Sequence, residues 1–156
     1  MKIKINNKLI LSLILILTSC DPDRVYEKNI AIPDEIWNRF NIVKFNVEIT
    51  DTISSHNIYV NIRNTRMYPK SNLFLFIKTT SPTGLFVCDT LECILADEKG
   101  KWLGKGLGDI WDNQIPFKKN VRFPNSGIYA FELEQAMRIP DLPFIMDVGL
   151  RVEKVN

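Results

Sequence analysis

In one short run after another, apolar residues fall at every second position. Phe45, Val47 and Ile49 alternate with Asn46, Glu48 and Thr50, and Ile58, Val60 and Ile62 alternate with Tyr59, Asn61 and Arg63. A period of two sends alternate side chains to opposite faces of an extended chain, so these runs predict strands with one buried face. Leu73-Phe74-Leu75-Phe76-Ile77 is apolar throughout and predicts a strand covered on both faces. Residues 85–95, 121–123, 128–133 and 145–152 supply further strand material. Ser81-Pro82-Thr83-Gly84, Asp97-Glu98-Lys99-Gly100 and Pro124-Asn125-Ser126-Gly127 read as turns, the second leading as a hairpin into Lys101-Trp102-Leu103. Helix is confined to two short turns, Asp34–Phe40 after Pro33 and Glu134–Arg138 before Pro140. About eight or nine closely spaced strands predict a single all-β domain, an antiparallel β-sandwich or jelly-roll-like fold.

The N-terminus has a different character. Lys2, Lys4 and Lys8 precede Leu9–Leu17, a run of Leu and Ile broken only by Ser12. About nine apolar residues suit the core of a secretory signal and are too few to span a bilayer as a helix. Leu17-Thr18-Ser19-Cys20 follows, and looks like a bacterial lipobox. The expectation is a signal peptide over residues 1–19, a lipidated tether over 20–34, and the domain over 35–156. Cys20 would carry the lipid, since its thiol accepts a diacylglyceryl group and cleavage frees its amine for further acylation. Two or three acyl chains anchor a protein stably, because each buried methylene contributes about 0.8 kcal/mol.

Removing residues 1–19 leaves 137 of the 156 residues, enough for one domain with a core. It also takes three lysines from a chain of 20 basic and 18 acidic residues, turning a formal +2 into −1. That balance does not support a nucleic-acid surface. With Cys20 assigned to lipid, Cys88 and Cys93 remain. Five residues apart on one strand, they fall on opposite faces about 17 Å apart, so a bridge would require a turn or bulge, and two buried free thiols are the simpler reading. One histidine, His56, and no CxxC pairing argue against a metal site, and no cofactor is expected.

Catalysis finds little support in the residues. His56 lies in Ser54-Ser55-His56-Asn57, which reads as an exposed loop rather than as a base beside a nucleophile. Asp89, Glu92, Asp109, Asp112 and Asp147 are candidate carboxylates for histidine-free hydrolysis, with no spacing that pairs any two. The most distinctive stretch is Lys101-Trp102-Leu103-Gly104-Lys105-Gly106-Leu107-Gly108-Asp109-Ile110-Trp111-Asp112-Asn113. Its alternating glycines lack the Lys-Ser/Thr of a phosphate loop and suit a close backbone approach or a bulge. Trp102, Trp111, Asp112 and Asn113 are the candidate interaction residues. They suit packing of the core, a protein contact in which tryptophan is enriched, an aromatic platform for a sugar, or oxygen ligands for calcium together with Asp109. The polar-rich Asn61–Thr65 and Tyr68-Pro69 read either as a solvated face and turn or as a partner-binding edge.

Several strings carry a family resemblance: Asp51-Thr52, Tyr59-Val60-Asn61-Ile62-Arg63-Asn64, Asn72-Leu73-Phe74-Leu75-Phe76 and Asp89-Thr90-Leu91-Glu92. Further on come Gly100-Lys101-Trp102-Leu103-Gly104-Lys105-Gly106, Ile110-Trp111-Asp112-Asn113, Phe131–Arg138 and Ile145–Arg151. With the lipobox, they make the chain resemble the gliding motility lipoprotein family GldH of the Bacteroidetes. The resemblance implies a cell-envelope lipoprotein, lipid-anchored in the outer membrane. It would be a non-enzymatic accessory component of a gliding machinery that overlaps with type IX secretion. Its partners would be the membrane and other envelope proteins. Homologues also occur in bacteria that do not glide, and the resemblance brings no catalytic residues. The competing expectation is a surface carbohydrate-binding module built on Trp102 and Trp111.

Overall fold

The alternation maps directly onto burial. In the computed structural model, which describes residues 21–155, His56–Thr65 and Val43–Ile49 alternate strictly between inward and outward side chains. The eleven strands are β1 (Arg24–Ala31), β2 (Ile36–Asn38), β3 (Val43–Ile49), β4 (His56–Thr65), β5 (Asn72–Thr80), β6 (Phe86–Ile94), β7 (Lys105–Leu107), β8 (Ile110–Val121), β9 (Gly127–Gln135), β10 (Asp141–Pro143) and β11 (Ile145–Lys154). A five-stranded sheet has the order β1-β11-β4-β8-β7 and a four-stranded sheet the order β3-β9-β5-β6; every pairing is antiparallel. Their inward rows form one core, with Ile58, Val60, Ile62, Val148, Leu150 and Val152 from the first sheet. Phe45, Val47, Leu75, Ile77, Phe131 and Leu133 come from the second. This is the expected all-β arrangement. No helix among the described residues is long and apolar enough to cross a membrane.

Several local expectations are corrected. Residues 24–31, read as tether, form β1 and pair along β11 from Arg24↔Glu153 to Ala31↔Asp147. The helical turn read over residues 34–40 extends only to Glu35. A short 3-10 turn over Pro33–Glu35, with Asp34 and Glu35 at positive φ, gives way to β2, which pairs with β10. Burial of Trp37 opposite Leu142 overrides the local preference. Glu134 and Gln135 belong to β9, and the bend after them closes on the buried Gln135 amide, whose Nε2 donates to the Ile139 and Pro140 carbonyls. Strand β5 is covered on one face only: Leu73, Leu75 and Ile77 are buried, Phe74 is half-buried and Phe76 is exposed, because among the described residues no layer lies above the outer face of its sheet. The 97–100 turn forms as expected, with the Asp97 carboxylate accepting from the Lys99 and Lys101 amides.

His56 is likewise not an exposed loop residue. It opens β4 on the inward row and stands edge-on to Phe123, 5.2 Å between ring centroids. Burial is the first cause that lowers its pKa. A lowered folded pKa means that the group's contribution is complete above the unfolded value near 6.5 and is lost as pH falls through the folded one. The urea midpoint is expected to fall between pH 7 and pH 5, and His56→Phe to flatten that fall. An equal fall in the variant would assign the loss to other groups.

Cys88 and Cys93 are free thiols on opposite faces of β6. Contrary to the reading of two buried thiols, only Cys93 is buried. Burial pushes its thiol up to about 12, whereas Cys88 is exposed on the outer face.

Candidate functional site

The outward rows of the five-stranded sheet are polar, and strand register lines them up. Glu27, Arg151 and Tyr59 stand side by side across β1, β11 and β4. The next row holds Asn29, Gly149, Asn61 and Gln114, and the one beyond it Asp147, Arg63, Asp112 and Lys105. Of these, Glu27, Asn29, Asn61, Gln114, Asp147, Arg63, Asp112 and Lys105, with the overhanging Leu103 and Gly104, line an open cleft of about 520 Å³.

Two guanidinium centres organise this face. Arg63 donates through Nε to Asp112, 2.5 Å, and through Nη1 to Asp147, 2.9 Å. Its pKa is raised, first by the hydrogen bond to Asp112, so the cation is fixed between strands β8 and β11. Arg151 bonds Glu27 at 2.8 Å, Glu153 at 3.0 Å, and Asp21 just ahead of β1. Tyr59 Oη adds a bond to Glu153, 2.9 Å, and Asn61 Nδ2 reaches Glu27 and Asn29 at 3.3 Å each. Gly149 is required between them. A Cβ there would collide with the Asn29 carboxamide and approach the Lys28 carbonyl to 2.9 Å, so the missing side chain is the space into which Asn29 folds.

The cleft's overhang depends on the glycine-rich stretch. A Cβ at Gly104 would lie 2.6 Å from both Asn113 Oδ1 and the Asp112 carbonyl, and one at Gly106 would enter the Trp111 ring. These are the close approaches expected from the alternating glycines. The candidate interaction residues themselves divide between environments. Asp112 faces outward onto Arg63. Asn113, its neighbour, is buried and donates to the Ile62 carbonyl, 3.1 Å, and to Asn64 Oδ1, 2.9 Å. Trp102 is half-buried against the core and bridges to Ala96; Trp111 is half-buried over Gly106.

The suggested calcium ligands do not converge either. Asp109 pairs with Arg66 at 3.4 Å, while Asp112 and Asn113 point to opposite faces of β8. Among the described residues no group of three His, Cys, Asp or Glu side chains is placed to hold a metal. Of the candidate carboxylates, Asp89 is bonded to Lys118 and Glu92 to Asn72. Asp112 and Asp147 do meet in the cleft, but the Arg63 guanidinium fills the space between them where a glycosidic oxygen and a water would sit.

The Asn61–Thr65 stretch, read as a solvated face or a partner-binding edge, lies on β4 in the middle of its sheet, with Asn61 and Arg63 on the outer face and Asn64 buried. Tyr68 is buried and donates to the Asn72 carbonyl at 2.9 Å. The sequence does not single out Glu27, Asn29 or Arg151 as site residues. The signal for Arg151 was present in the period-two row Asp147, Gly149, Arg151; that for Glu27 and Asn29 was hidden by reading their segment as tether. The expected signal peptide over residues 1–19 and the expected lipidation site Cys20 lie outside the described residues.

The profile of the GldH lipoprotein family matches residues 24–152, from the first strand to the last. The Gliding motility lipoprotein GldH homolog of Christiangramia forsetii is 37% identical over 148 residues, covering 90% of each chain. The Gliding motility lipoprotein GldH of Flavobacterium johnsoniae is 34% identical over an alignment of 161 positions, covering 99% of each. Likeness of this extent, spanning every strand that builds the cleft, shows that the chain belongs to the GldH lipoprotein family.

Proposed function

We propose that the protein is a non-enzymatic accessory component of a gliding and envelope-secretion apparatus, held at the outer membrane by acyl chains on Cys20. The observation that carries this is the near full-length match to relatives named for gliding motility. The cleft supports a binding role. Four of the strings on which the resemblance stands, within residues 59–64, 100–106, 110–113 and 145–151, meet around it. Its carboxylates and guanidinium groups are engaged with one another in fixed positions, an arrangement suited to recognising a complementary polar surface. His56, the sole histidine, faces the core and not the cleft, so it supplies no base there.

Deleting the gene is expected to reduce surface spreading or the display of secreted adhesins. The wild-type chain restores the trait, whereas Cys20→Ala and Arg63→Ala do not, although Arg63→Ala accumulates and fractionates normally. Unchanged spreading and display after deletion would overturn the assignment. Full rescue by Arg63→Ala would remove the cleft from it.

A further inference from the structure

The lipid on Cys20 and the way its neighbours are tied down together determine which end of the sandwich meets the membrane. Residue 20 is one peptide link, about 3.8 Å between Cα atoms, from Asp21. Asp21 does not belong to a loose leash. Its carboxylate is bonded to Arg151, its carbonyl accepts from the Arg24 amide, and the Asp23 carbonyl accepts from the Lys154 amide at 2.8 Å. Asp21, the residue that follows Cys20 in the chain, is thus fixed beside the start of β1 and the end of β11.

Register then identifies what else lies at that end. The Val155 amide donates to the Ser55 carbonyl, and Lys154 pairs with Asp51 at 2.6 Å, which places the 50–55 loop there. His56 pairs with Val121, so the end of β8 is there too. Ile49 pairs with Gly127, a Cβ on Gly127 would lie 3.0 Å from Pro82, and Thr80 pairs with Phe86, which adds the 81–85 turn. The tips of these loops are apolar and uncovered: Ile53 is 82% exposed, Leu85 76% and Phe86 62%. Exposed Lys119 and Arg122 accompany them. Apolar side chains to enter the acyl boundary, with cations to meet anionic headgroups, are the composition of an interfacial surface. The opposite end also exposes apolar side chains, among them Leu107 at 85%, but Asp21, next to Cys20 in the chain, lies at the first end.

We propose that this end of the domain, led by Ile53, Leu85 and Phe86, seats directly on the bilayer that receives the acyl chains. The outer face of the five-stranded sheet, with its cleft, then stands along the membrane normal, open to envelope partners. The proposal rests on acylation of Cys20, and the test keeps the two separable.

Single cysteines for a nitrobenzoxadiazole probe are introduced as Ile53→Cys, Leu85→Cys or Leu107→Cys in full-length protein carrying Cys88→Ser. Buried Cys93 stays unlabelled. The acylated protein is purified and placed in phosphatidylethanolamine–phosphatidylglycerol vesicles, and the mass of the N-terminal peptide reports acylation. Probes at positions 53 and 85 are expected to emit further to the blue in vesicles and to be quenched by nitroxide-bearing lipid. The probe at 107 should behave as in water. Acylated protein with all three probes aqueous would overturn the seating alone. A blue shift that lipid-borne nitroxide fails to quench would mean that a second copy covers this end, and also overturns it. An unmodified Cys20 would overturn the acylation reading and the seating with it.

Discussion

Trp37→Ala is expected to cost about 3–5 kcal/mol of folding stability, the range for truncating a fully buried large aromatic side chain. Trp37 is 0% exposed, although its strand is only three residues long. It faces the equally buried Leu142 across the β2–β10 pair, and its Nε1–H donates to the Asn41 carbonyl at 2.8 Å. Truncation therefore opens a cavity and leaves that carbonyl without its donor. A domain of this size has about 5–15 kcal/mol in total, so the loss would bring many conditions close to unfolding. Trp37→Phe retains most of the apolar volume and should lose about 1–2 kcal/mol, for the lost hydrogen bond and the smaller ring. Urea titrations of the purified chain measure both. A loss below about 1 kcal/mol for the alanine variant would mean that the site collapses around the truncation and that the β2–β10 flap is not an anchor of the fold.

Trp37 also shows where the sequence was legible and where it was not. Inward rows such as Ile58, Val60, Ile62 could be read because a strand's two faces differ and the period is local. β2 could not, because its partner residues 141–143 lie far along the chain, and Pro33-Asp34-Glu35 has the composition of a helix start. β1 is illegible for a related reason. At the edge of its sheet, only Tyr26 and Ile30 pack against the core, so the alternation is faint. The cleft obeys the same rule. Arg63 was legible as part of a polar row, but its carboxylates arrive from 49 and 84 residues away, and Glu27 reaches Arg151 across 124. The tryptophans drew attention by type, yet residue type does not report the face: Trp111 shares the inward row of β8 with the buried Asn113.

Arg151→Leu is expected to weaken the whole fold by about 2 kcal/mol at neutral pH and to weaken β1 most. Hydrogen bonds to charged groups contribute about 1.5–3 kcal/mol, and the lower part of that range applies because the carboxylate partners keep contact with water. The Arg151 side chain is 13% exposed and joins Asp21, Glu27 and Glu153. Leucine would preserve part of its packed stem while leaving three carboxylates facing one another. The sign of the pH effect follows from Asp21. The hydrogen bond from Arg151 is the first of the influences that hold its carboxyl below the ordinary value. A depressed folded pKa contributes stability above the unfolded value near 4 and loses it as pH falls through the folded one. The gap between wild type and variant should therefore be widest near pH 7 and narrow toward pH 3, where protonation also relieves the repulsion in the variant. Urea midpoints at the two pH values test the gap, and one that stays constant would assign the loss to packing of the Arg151 stem instead. Hydrogen exchange tests the location. Amides of β1, an edge strand paired only to β11, should lose protection before those of β4, which is paired on both sides. Uniform loss across both strands would show that Arg151 supports the sheet as a unit and does not pin β1 and the residues that join it to Cys20.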